Sequence, residues 1–259
     1  MIIKILVATH KVCDFPKETI YLPVQVGKSL HPEFVIDGCQ PDDKGDNISS
    51  KNPYYSELTA MYWAWKNLDA DFVGLAHYRR HFCLKKKRTK WDSVLNSEEA
   101  HHLCSTYDII LPQKRNLYIE TVYSHYDHTF SGDQFIQTRS IIDKLCPEYL
   151  EPFDKLMKMR SEHLFNMFIM KKVLFDRYCQ WLFPILEELE ALYDLAHMDP
   201  FQARMIGRIS ERLLNVWIIK NNLNYKEIKY LYFGERSIIR KAWGFALAAL
   251  FHIKYKRSF

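Results

Sequence analysis

DFVGLAHYRRHF, Asp71 to Phe82, is the stretch that decides the fold. Its first part, Asp71 to Ala76, has the length of a strand and no polar alternation, as in a strand buried on both faces of a sheet. It runs without a turn signal into His77, Tyr78, Arg79 and Arg80. In an open α/β sheet, polar residues just past the carboxyl end of a strand face the ligand crevice. Two adjacent arginines there supply planar, permanently charged forks suited to a phosphate or carboxylate. The alternative for an Arg-Arg pair is contact with surface acids. The preceding buried strand and the company of His and Tyr favour a ligand.

Upstream, Ile2 to Thr9 is a second buried strand, with His10 and Lys11 at its carboxyl end, and Tyr21 to Val26 is a third. A long polar loop, Asp37 to Asn52, carries Asn47, Lys51 and Asn52 and precedes a helix over Tyr55 to Asn67. Downstream come a helix near Ser97 to Cys104 and a strand at Asp108 to Leu111. This alternation predicts an α/β fold with a mixed sheet flanked by helices. The second half reads as mainly helical: Asp133 to Leu145, Glu148 to Met159, a strand at His163 to Met170, and a helix from Lys171 to about Leu192 that contains Pro184. Asp199-Pro200 then opens a helix to about Asn222. With no repeat and no linker, residues 1–236 read as one domain and 237–259 as a tail.

Composition narrows the function classes. The chain has 259 residues, 48% hydrophobic, with only 8 Gly and 10 Pro, which excludes a disordered or collagen-like chain. No apolar run reaches the ~20 residues of a spanning helix. Six scattered cysteines without a CxxC pair, and no signal-peptide cleavage pattern, point to free thiols in a reducing cytoplasm. The net charge of +5 is concentrated in Lys85 to Lys90 and in the tail. The tail, Ile238 to Phe259, brackets AWGFALAALFHI with basic residues, as an interfacial membrane helix does; docking on the core is the other reading.

GxGxxG, GxxxxGK[ST], HExxH and GxSxG are all missing, and no Asp-x-Asp follows an apolar strand. Two further polar clusters stand out. YSHYDH, 123–128, places His125, Asp127 and His128 together for acid/base work or a metal, although a polar loop before a helix looks alike. MDPFQARMIGRISERLLNVW contains Asp199, Arg204, Gly207, Glu211 and Arg212. Arg204, Arg208 and Arg212 share one helix face, and from spacing alone that face reads as solvated and salt-bridged. Gly207 within it costs ~1 kcal/mol relative to Ala, which suggests close packing there.

DNISSKNPYYSELTAMYWAWKN, FVGLAHYRRHF, NMFIM and RMIGRISERLLNVW, in this order, resemble a bacterial family catalogued as a domain of unknown function (DUF4422-like). Its members occur in capsular and exopolysaccharide gene clusters and are regarded as glycosyltransferases. The resemblance runs from Lys4 to about Trp217. It implies a GT-A-like α/β fold and transfer of a sugar, galactopyranose or galactofuranose, from a UDP-sugar donor to a lipid-linked oligosaccharide in capsule, exopolysaccharide or O-antigen synthesis. The acceptor would be polyprenyl-diphosphate-linked, and the enzyme peripheral on the inner face of the plasma membrane.

On that resemblance, Thr9, His10 and Lys11 would hold the nucleotide, with Asn47, Lys51, Asn52, His77, Tyr78, Arg79 and Arg80 completing the donor site. His77-Tyr78-Arg79 stands where Asp-x-Asp is usual, so side-chain cations would neutralise the leaving diphosphate, and a divalent metal is possible but has no motif. The catalytic carboxylate is expected among Asp127, Glu211 and Asp199, and acceptor contacts from His125, Arg204 and Arg212. A non-catalytic scaffold subunit and a nucleic-acid-binding protein are the competing classes; no RRM, KH or helix-turn-helix signature supports the latter, and nucleic acid is not an expected partner.

Overall fold

The computed structural model describes residues 1–234. The expected tail, 237–259, lies outside the described residues. Strands β1 (Ile3–Thr9), β2 (Tyr21–Gln25) and β3 (Gln40–Pro41) lie side by side in parallel, and β4 (Phe72–His77) runs parallel to β1 on its other side. β5 (Arg80–Cys83) folds back from β4, with His77 and Arg80 paired and Tyr78-Arg79 between them. β6 (Ile109–Pro112) follows. β7 (Arg115–Asn116) and β8 (Ser161–Glu162) form a separate antiparallel ribbon. β9 (Phe168–Lys171) inserts antiparallel between β4 and β6, and β10 (Tyr225–Tyr232) lies parallel to β6 and antiparallel to β5. The sheet is mixed and flanked by helices, as the strand–helix alternation predicts.

Alternation along the central strands builds two cores. Leu6 and Ala8 of β1, Val73 and Leu75 of β4, and Phe168 and Met170 of β9 face the larger one. Ile3, Ile5 and Val7, Phe72 and Ala76, and Ile169 face the smaller. The larger core is closed by α2 (Leu58–Asn67), α5 (Asp133–Leu145), α6 (Leu150–Lys158), α7 (Lys172–Ala191) and α9 (Met205–Asn221), and the smaller by α3 (Ser97–Thr106). The remaining helices are short: α1 (Asn52–Tyr55), α4 (Val122–Asp127) and α8 (Pro200–Ala203).

Several sequence expectations are corrected. The helix expected over Tyr55 to Asn67 is broken at Ser56, which has φ 53° and ends α1 before α2 begins. The helix opened by Asp199-Pro200 is likewise two pieces, α8 and α9, meeting at Arg204. The expected strand His163 to Met170 starts only at Phe168, because Phe165 and Asn166 adopt φ 74° and 51°. The polar loop before Asn52 is organised by buried Asp42, which accepts hydrogen bonds from Gly27 N, Lys28 N and Ser49 Oγ. β5 and β10 were not expected. His81, in β5, is fully buried among the rings of Tyr21, Trp91 and Phe233 and has no hydrogen bond of normal length; burial lowers its pKa to about 4. Among the described residues no helix is long and apolar enough to cross a membrane.

Candidate functional site

A cleft of about 540 Å³ opens where the carboxyl ends of β1 and β4 meet the α1–α2 break and the first turns of α9. Six arginines line it, Arg79, Arg80, Arg115, Arg204, Arg208 and Arg212, against two glutamates, Glu57 and Glu211.

The tight turn between β4 and β5 sets the cationic wall. Arg79 Nε donates to the Tyr78 hydroxyl at 2.7 Å, and Lys11 Nζ lies 5.2 Å from the centre of the same ring. His10 meets that ring edge-on at 5.5 Å. Burial lowers the His10 pKa, and the charges of Arg204, Arg79 and Lys11 lower it further. Arg80 stacks over Phe165 at 4.1 Å, and burial lowers its pKa despite the nearby Glu211 and Glu57.

The facing wall is α9. Arg208 lies between Phe130 and Phe201, at 4.0 and 4.1 Å, and burial brings its pKa down to about 10. Arg212 donates to Glu162 Oε1 at 3.1 Å, to Arg208 O at 3.0 Å and to Glu211 Oε2 at 3.4 Å. Glu162 is fully buried, and burial pushes its carboxyl up to about 7 against the pull of Arg212. The face read from spacing as solvated is therefore the cleft wall, with Arg212 only 7% exposed.

A carboxylate is fixed where these walls meet. Glu57 follows Ser56, whose positive φ is costly for a residue with a Cβ. Asn166 Nδ2 donates to Glu57 Oε1 at 2.7 Å and to Gly207 O at 3.0 Å, and Ser210 Oγ donates to Asn166 Oδ1 at 2.9 Å. His77 Nε2 donates to Phe165 O at 2.6 Å and lies 3.8 Å from Glu57. Gly207 answers the packing expected of it: a Cβ there would lie 3.2 Å from Tyr55 O.

Of the expected site residues, His10, Asn52, His77, Tyr78, Arg79, Arg80, His125, Arg204, Glu211 and Arg212 line the cleft. The others do not, because each serves local structure. Thr9 is buried and its hydroxyl donates to Lys11 O. Lys11 reaches only the outer Tyr78 ring. Asn47 staples the loop through Asp43 O and Gly45 O, and Lys51 pairs with Glu190 at 2.6 Å. Asp127 accepts Gly132 N at 2.7 Å, and Asp199 caps α8 through Phe201 N at 2.9 Å. His125 is held through Nδ1 by Glu120 at 2.5 Å; the other Glu120 oxygen takes His128 at 2.6 Å. Burial lowers the His125 pKa.

Glu57, Arg115, Asn166 and Arg208 are cleft or cleft-supporting residues without an expected role. Glu57 lies in the polar run before α2 and was within reach of sequence reasoning. Asn166 gives no local signal, since its partners come from distant segments. Among the described residues no three His, Cys, Asp or Glu side chains gather to hold a metal ion.

A family model described as "Domain of unknown function (DUF4422)" matches residues 4–222. The chain is a DUF4422 protein. Among solved structures, this DUF4422 chain is similar to "WbbM bifunctional glycosyltransferase", solved in its apo form: 34% sequence identity, TM-score 0.83, covering 90% of this chain and 45% of the WbbM chain. The chain thus spans less than half the length of that protein. No curated protein matches it.

Proposed function

We propose that this DUF4422 protein is a glycosyltransferase that takes its sugar from a nucleoside-diphosphate donor, in our reading a UDP-linked galactopyranose or galactofuranose. The observation that carries this is the excess of six arginines over two glutamates in a cleft at the carboxyl ends of β1 and β4. Such a cleft fits a doubly charged leaving group. The likeness to a bifunctional glycosyltransferase supports it: a chain covering 45% of such a protein fits one of its transferase units.

In the proposed reaction the acceptor hydroxyl oxygen attacks the anomeric carbon, the bond from that carbon to the diphosphate oxygen breaks, and UDP leaves with the bonding pair. Arg79, Arg80 and Arg204 stabilise the charge developing on the diphosphate. The hydroxyl proton passes to one of the two carboxylates that reach the cleft, Glu57 and Glu211. Arg212 and His125 border the acceptor end. The acceptor is proposed to be polyprenyl-diphosphate-linked, in capsular or exopolysaccharide synthesis, with the enzyme peripheral on the inner membrane face and residues 237–259 as a tether.

The test is calorimetric titration with UDP, followed by mass spectrometry of a prenyl-diphosphate-linked disaccharide incubated with a panel of nucleotide sugars. A product heavier by one hexose is expected. Absence of both UDP binding and hexose transfer from every donor overturns the reading.

A further inference from the structure

Between Arg115 and His125, both on the cleft wall, the chain makes a tight turn with an apolar tip in water. Tyr118 and Ile119 are 77% and 86% exposed, more than any other large hydrophobic side chain among the described residues. Isolated exposed apolar residues are ordinary. This pair is different because the turn that carries it is fixed by hydrogen bonds at Leu117, Tyr118 and Glu120. Leu117 is buried and donates its N–H to Arg160 O at 2.8 Å, while Glu120 N closes the turn on Leu117 O at 3.2 Å. Asn116 Oδ1 accepts Tyr118 N at 2.7 Å, and the Glu120 carboxylate is gripped by His125 and His128. Tyr118 itself has φ 58°, an uncommon conformation for an aromatic residue.

A pinned turn that holds two adjacent bulky side chains out of the protein leaves them to be buried by something else. The charge at its foot says what. Arg115 and Arg160 are both exposed; the Arg115 charge is felt by the buried Glu162, but neither arginine forms an ion pair within 4 Å of a described carboxylate. Apolar side chains, one of them tyrosine, above exposed arginines match the layering of a bilayer interface with anionic headgroups.

We propose that residues 116–120 form a membrane-contacting prong: Tyr118 and Ile119 enter the interfacial layer of an anionic bilayer, Arg115 and Arg160 meet its headgroups, and the cleft mouth is thereby held at the lipid surface. The purpose of the contact rests on the proposed lipid-linked acceptor, whereas the contact itself is measurable without any sugar substrate. Because it sits on the cleft rim, it sets orientation as well as attachment.

The test is co-sedimentation of the full chain with vesicles of phosphatidylglycerol and phosphatidylcholine, alongside UDP titration in solution. The double variant Tyr118→Ser/Ile119→Ser should lose about tenfold in vesicle partitioning, as expected for removing two interfacial apolar groups, with UDP affinity unchanged. Arg160→Gln should lose about fivefold at low salt, and this difference should vanish at high salt. Ile119→Asp, a single change at an exposed site, provides a second variant and should also weaken binding. Equal partitioning of wild type and double variant overturns the proposal, as does failure of the wild type to bind anionic vesicles. A dimer in light scattering that the double variant abolishes also overturns it, since the tip would then be an interface between copies. Loss of the glycosyltransferase reading shows separately, as absent UDP binding with vesicle binding intact.

Discussion

Asn166 donates to Glu57 Oε1 at 2.7 Å, joining residues 109 positions apart. Its remaining amide and carbonyl valences go to Gly207 O and Ser210 Oγ, so α9, the β8–β9 connection and the start of α2 are fixed to one another at one buried side chain. The carboxylate orientation is thereby set before any substrate arrives.

If Glu57 is the proton acceptor, Glu57→Gln lowers kcat by about a hundred- to ten-thousandfold, the range for general base catalysis, with donor affinity retained. Asn166→Ala acts through it, lowering kcat while also costing about 1–3 kcal/mol of stability for the hydrogen bonds left unmade. Steady-state kinetics beside Glu211→Gln decide the assignment: normal turnover in Glu57→Gln and lost turnover in Glu211→Gln would place the base on α9.

Arg79→Ala and Arg204→Ala should each weaken UDP binding by about 1.5–3 kcal/mol, the range for hydrogen bonds to a charged group. If the cleft arginines supply the charge that meets the diphosphate, UDP affinity should be the same with and without EDTA. Calorimetry checks both; a tenfold loss in EDTA would contradict the assignment of that charge to arginine.

Gly207→Ala sets two effects of similar size against each other. Alanine in a helix gains about 1 kcal/mol over glycine, but the new Cβ lies 3.2 Å from Tyr55 O and 3.4 Å from Ser56 Oγ, so the α1–α2 break must shift. The expected outcome is a melting temperature near that of the wild type with a clear fall in kcat, since Glu57 follows the displaced residue. Unchanged turnover would show that the break has no catalytic bearing.

His81 gives a pH signature. Its folded pKa of about 4 lies below its ordinary 6.5, so the folded state binds fewer protons than the unfolded chain between those values. Stability from this group is complete above pH 6.5 and is lost as pH falls towards 4, on the order of 3 kcal/mol at most. In His81→Phe that slope should disappear, and urea denaturation at pH 7 and pH 4.5 measures it.

The sequence carried the sheet's central strands and the longer helices because their side chains repeat with the period of the element, as in Ile3–Thr9 and Asp133–Leu145. β10 was hidden: only Ile228 of its eight residues is buried, so YKEIKYLY offers no core stripe to read. The cleft cations at His77 to Arg80 were legible from their place after a buried strand. Asp127 and Asp199 carry the charge a catalytic carboxylate needs but bind backbone N–H groups, which a carboxylate near a helix start does as readily as chemistry. Asn166 and Arg115 became visible only when distant segments met.

Phe233, just past β10, donates its N–H to Arg79 O at 2.6 Å. The hairpin turn that carries the cationic wall is thus fastened by a residue made some 150 positions later, as 233 against 79. During synthesis on the ribosome, β4 and β5 emerge long before the strand that clamps them, and a contact of such sequence separation forms slowly. The nascent chain therefore lacks the clamp on its cationic turn until the last described strand is released, and an interrupted translation product ending before β10 leaves that turn and the β5 edge unfastened.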